Sequence, residues 1–368
     1  MAAVADIEPD DPRDDLHSNK RTTVNPRFRD VPRSIMSPWF KSPYTPRRGL
    51  IKLATPLSRR LIPKLRTASM SADDEHQFEG LLKKQWRTYS LSPLFNFKPH
   101  RAVLVKYERS LDAALSQAQS TSADILNSGA EKSHFSFYNG LKFNSDDPAA
   151  LRIQVWEKNA TGHESKIVLE AFLLCVELSM SPIPAELKAY FTYYPVVLVA
   201  GNKSKTTVLF DWLEHHFDCR SDLLTLTDAD LRHLLAHCSA FMSGNKSPPV
   251  LMQYSLEDKC EGIQYINCKL EAHYCKQLWE RLFSSPSTKR ELFQSDVDSF
   301  VDHLEQLLEH LMSIVFKKLS LSEVGTSAAY ISHAGKIKLF SSSVVYTALH
   351  VLCDIANDRY LEMAPRDQ

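Results

Sequence analysis

The spacing of apolar side chains divides the chain into helical and extended stretches. Apolar residues that recur every three or four positions predict helices, and such residues occur over 78–89, 104–115, 206–217, 228–242, 273–283, 296–319 and 344–355. Alternating or continuous apolar runs between turn residues predict strands, and such runs cover 135–143, 151–155, 167–176, 191–199, 250–256, 263–270, 326–332 and 336–341. Because strands and grouped helices are mixed without strict β-α-β alternation, we predict an α+β fold of curved, largely antiparallel sheets with packed helices.

The first 72 residues lack this periodicity. They hold nine of the nineteen prolines and almost no regular apolar pattern, which is typical of a disordered segment. Order is expected to begin near Ser71, because Ser71 and Asp74 have the spacing of a helix capping box. We therefore predict a disordered basic tail over 1–72, an α+β domain over 73–245 and a second α+β domain over 246–368.

A net charge of zero conceals a strong separation of charge along the chain. Between Leu16 and Ser71 there are thirteen basic residues and one acid, so the remainder carries an excess of acids. A cationic arm on a mildly acidic body favours a polyanionic partner, most often nucleic acid, and a nuclear location. Within this arm we assign the basic or targeting role to Arg47, Arg48, Arg59 and Arg60.

Four Ser-Pro or Thr-Pro pairs lie within the same arm. Such pairs are typical substrates of proline-directed kinases, and each phosphate adds about −1.5 to −2 charge. Four phosphates would cancel roughly half to two thirds of the positive excess and weaken an electrostatic tether. The alternative is that these pairs are simply common in disordered segments. The candidate phosphorylation sites are Ser37, Ser42, Thr45 and Thr55.

No motif for catalysis or for nucleotide or metal binding stands out. The ten glycines are scattered, whereas a phosphate-binding loop needs several close together. His216 and Cys219 have the spacing of two zinc ligands, but no second pair lies at a fitting distance. His233 and His237 lack the intervening glutamate of a zinc protease. We therefore expect no enzyme activity, cofactor or metal, although a hydrolase or transferase stays open if these histidines and Cys238 meet an acid in space.

Cysteine content and hydropathy argue against secreted and membrane classes. The seven cysteines are odd in number and include no C-x-x-C pair, so we expect buried, reduced thiols in a cytosolic or nuclear protein. No run of eighteen apolar residues occurs, so we expect no segment that spans a membrane.

Three lysines are candidates for contacts with DNA phosphates. In the predicted strand over 336–341, Lys336 and Lys338 share one face, and two apolar residues occupy the other. A strand with a cationic upper side can line a DNA-binding surface. Lys166, which begins another predicted strand, is a candidate for the same surface. The alternative is that these lysines protect an exposed sheet edge from unwanted pairing.

Several strings occur in the order found in the centromere protein L family, which the chain therefore resembles. The longest covers 81–95, LLKKQWRTYSLSPLF, at the start of the predicted ordered body. Trp212 with 217–219 (FDC) resembles the family's tryptophan helix. The string GKIK at 335–338 resembles its late β-hairpin, and 54–60 resembles a short basic patch in its tail. The resemblance reaches the C-terminal helix and is weakest in the middle of the chain.

The resemblance implies a subunit of the inner kinetochore, the constitutive centromere-associated network. Members of the family pair with centromere protein N through their C-terminal halves, which assigns heterodimerisation to 246–368. The pair works with centromere protein C and the H-I-K-M subunits on nucleosomes that contain the centromeric histone variant. In the family, a basic channel between the two paired proteins surrounds DNA. By resemblance, Lys166, Lys336 and Lys338 face that channel, whereas Glu323 stands where a basic residue would suit it.

Contacts with the partner are expected near the C-terminus. A sheet with an open edge there would accept a partner's strand, because strand addition supplies main-chain hydrogen bonds while alternate side chains fill pockets. The last predicted helix is also more apolar than one thin sheet requires. We assign partner binding to Ile337, Leu339, Val345 and Leu349, although a helix that covers its own sheet would have the same pattern.

Two functional hypotheses from different classes follow. The first is a non-enzymatic inner-kinetochore subunit that pairs with centromere protein N and engages centromeric nucleosome or linker DNA. The second is a nuclear, protein-only scaffold whose basic tail is a targeting signal and which makes no direct contact with DNA.

Overall fold

The structure, a computed structural model, describes residues 78–121, 131–142, 147–158, 165–178, 181–242, 247–256, 262–283 and 294–363. The predicted tail over 1–72 and the proposed capping pair Ser71 and Asp74 lie outside these residues.

Helices form where the apolar period is three to four residues. In the described residues they are α1 (Arg101–Thr121), α2 (Lys203–Phe217), α3 (Asp228–Ala240), α4 (Ala272–Phe283), α5 (Gln294–Met312) and α6 (Ser342–Met363). The start of α3 is stabilised by a capping box, in which the Thr227 hydroxyl accepts from the Asp230 N–H and the Asp230 carboxylate accepts from the Thr227 N–H. None of these described helices has the length and apolar content needed to cross a bilayer.

Strands occupy most of the remaining described residues. They are β1 (Gln85–Leu91), β2 (Leu94–Phe95), β3 (Glu131–Tyr138), β4 (Ala150–Lys158), β5 (Ser165–Leu174), β6 (Phe191–Thr192), β7 (Val196–Gly201), β8 (Ser221–Leu223), β9 (Val250–Ser255), β10 (Tyr265–Leu270), β11 (Ser320–Gly325), β12 (Ala329–Ser332) and β13 (Lys336–Leu339).

One large, open sheet organises these elements. Its strand order is β10-β9-β11-β12-β13-β1-β7-β5-β4-β3, with β8 paired beside β1, and β2 and β6 form a separate pair. Every pairing between these named strands is antiparallel. The strands predicted over 135–143, 151–155 and 167–176 are confirmed as the antiparallel neighbours β3, β4 and β5, and those predicted over 250–256 and 263–270 are confirmed as the antiparallel pair β9 and β10. The α+β prediction is therefore confirmed.

The segment predicted as the first helix, 78–89, is a turn followed by strand β1. Along β1, Trp86 is buried while its neighbours Gln85 and Arg87 are exposed, which is the period-two pattern of a strand. The Trp86 indole N–H donates to the Leu81 carbonyl oxygen at 2.9 Å and holds the turn against the strand. The helix prediction is wrong because the apolar residues of the turn, followed by the alternating apolar residues of the strand, together have the spacing of a helix.

Three other boundaries differ from the predictions. The helix predicted over 296–319 ends at Met312, because Ser313 adopts a left-handed backbone conformation with φ of 55°. Strand β11 then follows, and it escaped prediction because a register shift breaks its alternation. The strand predicted over 191–199 is two strands, β6 and β7, separated by a segment that contains Pro195.

Two hydrophobic cores lie on opposite faces of the sheet. On one face α3, α4, α5 and α6 cover a core that includes Trp86 and Ile337. On the other face α1 and α2 cover a core that includes Val197 and Leu173. We call these the α3–α6 face and the α1–α2 face.

The sheet joins both predicted domains. Strand β1, from the predicted domain over 73–245, lies between β7 and β13, and β13 belongs to the predicted domain over 246–368. The division of the body at residues 245 and 246 therefore does not coincide with a gap between sheets, and it stays a prediction.

A candidate nucleic-acid interface on the open sheet face

The α1–α2 face is bare of described helices over β13 and the strands beyond it. Directly opposed residues of neighbouring strands share a face. Lys336 lies opposite Arg87, Arg87 lies opposite Val199, and Val199 belongs to the core beneath α1 and α2. Lys336 therefore lies on the same side as α1 and α2. We call the uncovered area, formed on this side by β10, β9, β11, β12, β13 and β1, the open sheet face.

Three cations meet at one end of the open sheet face. Lys336 lies opposite Arg87, and Lys338 lies opposite Gln85. Arg87 is exposed and both lysines are partly buried, and none of the three forms an ion pair among the residues that the structure describes. The Lys338 Nζ lies 5.5 Å from the centre of the Phe340 ring, a contact that orients its ammonium group. This end of the face therefore presents uncompensated positive charge.

The middle of the open sheet face is neutral to acidic. Tyr330 lies opposite Lys338, and Glu323 lies opposite Ser332. Burial, together with the Glu323 carboxylate that accepts the phenolic hydrogen bond, raises the pKa of Tyr330. Lys269 on β10 adds a cation at the far edge, four strand spacings or about 19 Å from β13. Glu323 thus lies between two cationic regions, which makes this surface less positive than a fully basic one.

Lys166 does not join the cluster formed by Lys336 and Lys338. It is exposed near the start of β5 and lies opposite Glu157 on β4. Strands β1 and β7 lie between β13 and β5, a separation of three strand spacings or about 14 Å across the sheet. The structure therefore brings together two of the three predicted lysines, and it adds Arg87.

Arg87 was missed because its segment was predicted as a helix. An alternation of exposed and buried positions from Gln85 to Leu91 would have identified a strand with Arg87 on its polar side. Its pairing with Lys336 could not be found that way, because the two residues are far apart in sequence and meet only through the sheet register.

The β3 edge of the sheet is closed by carboxylates of α1. The Ser133 N–H donates to Asp112 Oδ1 at 2.6 Å, and the Phe135 N–H donates to Glu108 Oε1 at 2.8 Å. The Ser133 hydroxyl also donates to Asp112 Oδ1 at 2.7 Å. These carboxylates accept the hydrogen bonds that an added strand would need, so this edge is blocked.

The β10 edge has no such cover among the described residues. The Leu256 N–H donates to the Gln264 carbonyl at 2.9 Å, which sets the alternation of the β9–β10 ladder. The residues that direct their backbone N–H and C=O groups away from β9 are then Tyr265, Asn267 and Lys269. Among the described strands the open edge is therefore β10 and not a strand near the C-terminus as expected, because the hairpin strand β13 lies inside the sheet.

Exposed apolar side chains surround the β10 edge. Ile263 and Tyr265 are 57% and 49% exposed, and Leu311 and Met312 are 66% and 41% exposed. The Cys268 Sγ lies 3.8 Å from the Met312 Sδ, so the end of α5 lies beside β10. Clustered exposed apolar groups mark surfaces used for protein association.

Comparison with known proteins identifies the family. A sequence profile described as centromere protein L matches residues 80–362. The chain belongs to the centromere protein L family. It is similar to centromere protein L of Homo sapiens, with 25% identity over 305 residues that cover 81% of this chain and 86% of the relative. Centromere protein L of Mus musculus is 26% identical over 287 residues, which cover 77% of this chain and 84% of the relative. Centromere protein L of Danio rerio is 24% identical over 314 residues, which cover 83% of this chain and 83% of the relative.

Membership of the centromere protein L family confirms the predicted class of protein. The family makes this chain a structural protein of the kinetochore and not an enzyme. Its location is the nucleus, at the centromere of the chromosome.

The residues predicted to contact the partner are core residues in this member of the centromere protein L family. Ile337, Leu339, Val345 and Leu349 are 0–1% exposed and lie in the chain's own core. Strand β13 is paired on both sides, and α6 packs against it, so these side chains stabilise the fold. The alternative weighed for this helix, that it covers its own sheet, describes the structure.

The eight tail candidates lie outside the described residues. They are the basic or targeting positions Arg47, Arg48, Arg59 and Arg60 and the phosphorylation candidates Ser37, Ser42, Thr45 and Thr55.

Among the residues considered for zinc or catalysis, His216 is exposed, whereas Cys219, His233, His237 and Cys238 are buried. The His216 Nε2 bonds to the Ser110 hydroxyl at 2.9 Å, and burial raises the pKa of Cys219 to about 12. His233 and His237 are buried within α3 with ring centres 4.9 Å apart. Among the described residues, no three His, Cys, Asp or Glu side chains are grouped so that they could hold a metal ion.

Proposed function

We propose that this member of the centromere protein L family is an inner-kinetochore subunit that pairs with centromere protein N and binds centromeric DNA through phosphates, without base specificity. It would work beside centromere protein C and the H-I-K-M subunits and support chromosome segregation. The observation that carries the DNA-binding proposal is the cluster of Arg87, Lys336 and Lys338 on the open sheet face.

Electrostatics support the DNA contact. Cations without an acidic neighbour gain most from a polyanion, because no existing ion pair has to be broken. Phosphate contacts supply the salt-dependent, sequence-independent part of DNA affinity. Glu323 opposes this attraction from the middle of the open sheet face, so a moderate affinity is expected.

The difference between the two sheet edges supports the proposed heterodimer. Strand addition needs unpaired backbone groups, and β10 has them whereas β3 is closed by Asp112 and Glu108. The exposed side chains of Tyr265, Leu311 and Met312 would supply apolar contact beside the added strand. We therefore propose that centromere protein N docks at the β10 edge.

The DNA proposal is tested by the salt dependence of binding to duplex DNA. We expect Lys336→Ala/Lys338→Ala to make the negative slope of log K against log salt concentration less steep by about 1.8, or about 0.9 for each lost phosphate contact. The matched control is Lys276→Ala/Arg281→Ala on α4, which packs on the α3–α6 face. Glu323→Gln should raise the affinity. A slope unchanged in the double lysine variant would remove the DNA role of these residues.

The heterodimer is tested by co-expression with centromere protein N followed by size-exclusion chromatography. Asn267→Pro removes an outward N–H from β10, a change that an edge strand tolerates. We expect this variant to fold but to elute apart from the partner, while Asn267→Ala elutes with it. Co-elution of the proline variant would place the interface elsewhere.

A protein-only scaffold is the competing function, and Glu323 in the middle of the open sheet face favours it. In that case the tail residues Arg47, Arg48, Arg59 and Arg60 would act in nuclear targeting alone. Mixing the chain, with and without its partner, with duplex DNA at near-physiological salt separates the two functions. Complete absence of binding in both mixtures would support the scaffold.

A further inference from the structure

We propose that the outward side of the first half of α1 is a second contact surface for DNA phosphates. It consists of Arg101, Lys106 and Arg109, and we call it the α1 cation patch. The inference rests on the proposed function for its ligand, but it concerns different residues on a different element.

The acids of α1 are occupied by hydrogen bonds to the β3 edge. Its only acids are Glu108 and Asp112, and both accept hydrogen bonds from the β3 edge, at 2.8 Å from the Phe135 N–H and 2.6 Å from the Ser133 N–H. The Glu108 carboxylate also contacts the ring of His134 at 2.9 Å. Both carboxylates are therefore engaged at the β3 edge. Arg101 lies along the same helix stripe, seven residues before Glu108, whereas Lys106 and Arg109 lie farther around the helix.

The three cations of the patch are exposed and uncompensated. Arg101, Lys106 and Arg109 are all exposed, and none forms an ion pair within the part of the chain that the structure describes. At 1.5 Å rise per residue, Arg101 and Arg109 are about 12 Å apart along the helix axis. Duplex DNA carries one charge per about 1.7 Å of its axis, so a segment of this length holds about seven phosphate charges on its two strands together. Val105, which lies between the arginines, is 44% exposed and leaves room for close approach.

Packing beneath the patch holds the helix in place. Leu104, Leu111 and Leu115 of α1 are buried in the core of the α1–α2 face. The Ser110 hydroxyl accepts from the Trp212 indole N–H at 3.0 Å and bonds to the His216 ring at 2.9 Å, which ties α1 to α2. A pre-positioned cation loses less conformational entropy on binding than one on a mobile loop.

The position of α1 points to DNA as the ligand. Helix α1 packs on β3, on the same side of the sheet as Arg87 and Lys336. Strands β3 and β13 are five strand spacings apart, or about 24 Å. At 3.4 Å per base pair this distance corresponds to about seven base pairs, so one straight duplex of about 30 base pairs is long enough to reach both surfaces.

The test compares variants of the full chain, in complex with centromere protein N if the pair forms, by fluorescence anisotropy on a 30-base-pair duplex. We expect Arg101→Gln/Arg109→Gln to make the negative slope of log K against log salt concentration less steep by about 1.8. When the salt concentration rises fourfold, the factor by which the affinity of the variant falls is then about twelve times smaller than the factor for the wild type. The control is Lys276→Gln/Arg281→Gln on α4, and a slope equal to that of the control would overturn the inference.

The arms of the experiment separate this inference from the proposed function. If the Lys336→Ala/Lys338→Ala chain keeps the wild-type slope while the α1 variant loses part of it, the α1 cation patch stands and the open sheet face loses its role. The reverse result removes the α1 cation patch alone. If the wild-type protein binds no 30-base-pair duplex, both are overturned. Melting temperatures no lower than that of the wild type confirm that the variants are folded.

Discussion

Lys336 on β13 and Arg87 on β1 lie directly opposite each other, with no acid paired to either among the described residues. Like charges in opposed positions of a sheet destabilise it by about 0.2–1 kcal/mol. A surface that keeps such a pair without a compensating anion is suited to an anionic ligand, since the ligand relieves the repulsion.

Neutralising one member of this pair should therefore stabilise the fold and weaken DNA binding together. We expect Lys336→Gln to raise the free energy of unfolding by about 0.2–1 kcal/mol, because the repulsion from Arg87 is removed. The same variant should bind duplex DNA less tightly, and its negative slope of log K against log salt concentration should be less steep by about 0.9. Chemical denaturation and anisotropy titration measure the two effects.

Lys338→Gln is the matched control, because Lys338 lies opposite the neutral Gln85. It should lose DNA affinity without gaining stability. If Lys336→Gln is no more stable than Lys338→Gln, the repulsion between Lys336 and Arg87 is not significant.

The turn between β12 and β13 should not tolerate a side chain at Gly335. This glycine has φ of +68°, and an added Cβ would lie 2.5 Å from the Leu224 carbonyl oxygen and 2.9 Å from the Thr88 hydroxyl oxygen. Its carbonyl also accepts from the Thr88 N–H at 2.8 Å, so the turn cannot move without loosening β1. We expect Gly335→Ala to cost about 1–3 kcal/mol, measured by urea denaturation.

Gly262→Ala separates the backbone effect from the steric one. Gly262 also has positive φ, +88°, but a Cβ added there would meet no described atom within 4 Å. Gly262→Ala should therefore lower the free energy of unfolding by less than Gly335→Ala does. Equal losses in the two variants would rule out the steric clash at Gly335 as the cause of its loss.

A buried ion pair links α3 to α5. Glu305 is fully buried, and its Oε1 accepts from the Arg232 Nη2 at 2.7 Å and from the Tyr254 hydroxyl at 3.1 Å. Arg232 also donates from Nε to Asp228 at 2.6 Å. We expect Arg232→Met to cost about 3–5 kcal/mol near neutral pH, because it leaves a buried carboxylate without its counter-charge.

The cost of Arg232→Met should depend on pH. Burial raises the pKa of Glu305, and Arg232 opposes that rise, so removing the arginine raises this pKa further. A carboxyl group whose pKa is higher in the folded than in the unfolded state contributes stability at low pH. This contribution is lost as the pH rises through the pKa of the folded state. The deficit of the variant should therefore shrink as pH falls from about 8 towards 5. Arg232→Met/Glu305→Leu should recover much of the loss, and a deficit independent of pH would contradict this account.

The described cysteines should be unreactive in the folded protein. Burial raises the pKa of Cys219, Cys238 and Cys275 to about 12 and that of Cys268 to about 11. At about pH 8 only a thousandth or less of each such thiol is the reactive thiolate. Because Cys260 lies outside the described residues, the test uses Cys260→Ser. Ellman's reagent should then detect no fast thiol until denaturant is added, and a fast-reacting thiol in the folded variant would contradict the prediction.

Local sequence patterns were sufficient for most elements of this fold. The amphipathic stripe of α1, with Leu104 and Leu111 buried, and the alternation in β4 follow from side-chain period alone. The separation of charge, the family strings and the cationic side of β13 were also visible in the sequence. In each case the decisive interactions join residues that are close along the chain, so the pattern records them.

Tertiary structure decided what those patterns could not. It inserted β1 between β13 and β7 and so paired Lys336 with Arg87. It buried Ile337 inside the sheet, used Asp112 to close the β3 edge and left β10 as the open one. The physical reason is that strand order and edge closure arise from hydrogen bonds between segments distant in sequence. The strand period of two residues or the helical period of three to four residues indicates which side of an element is apolar. It carries no information about which element will lie beside it.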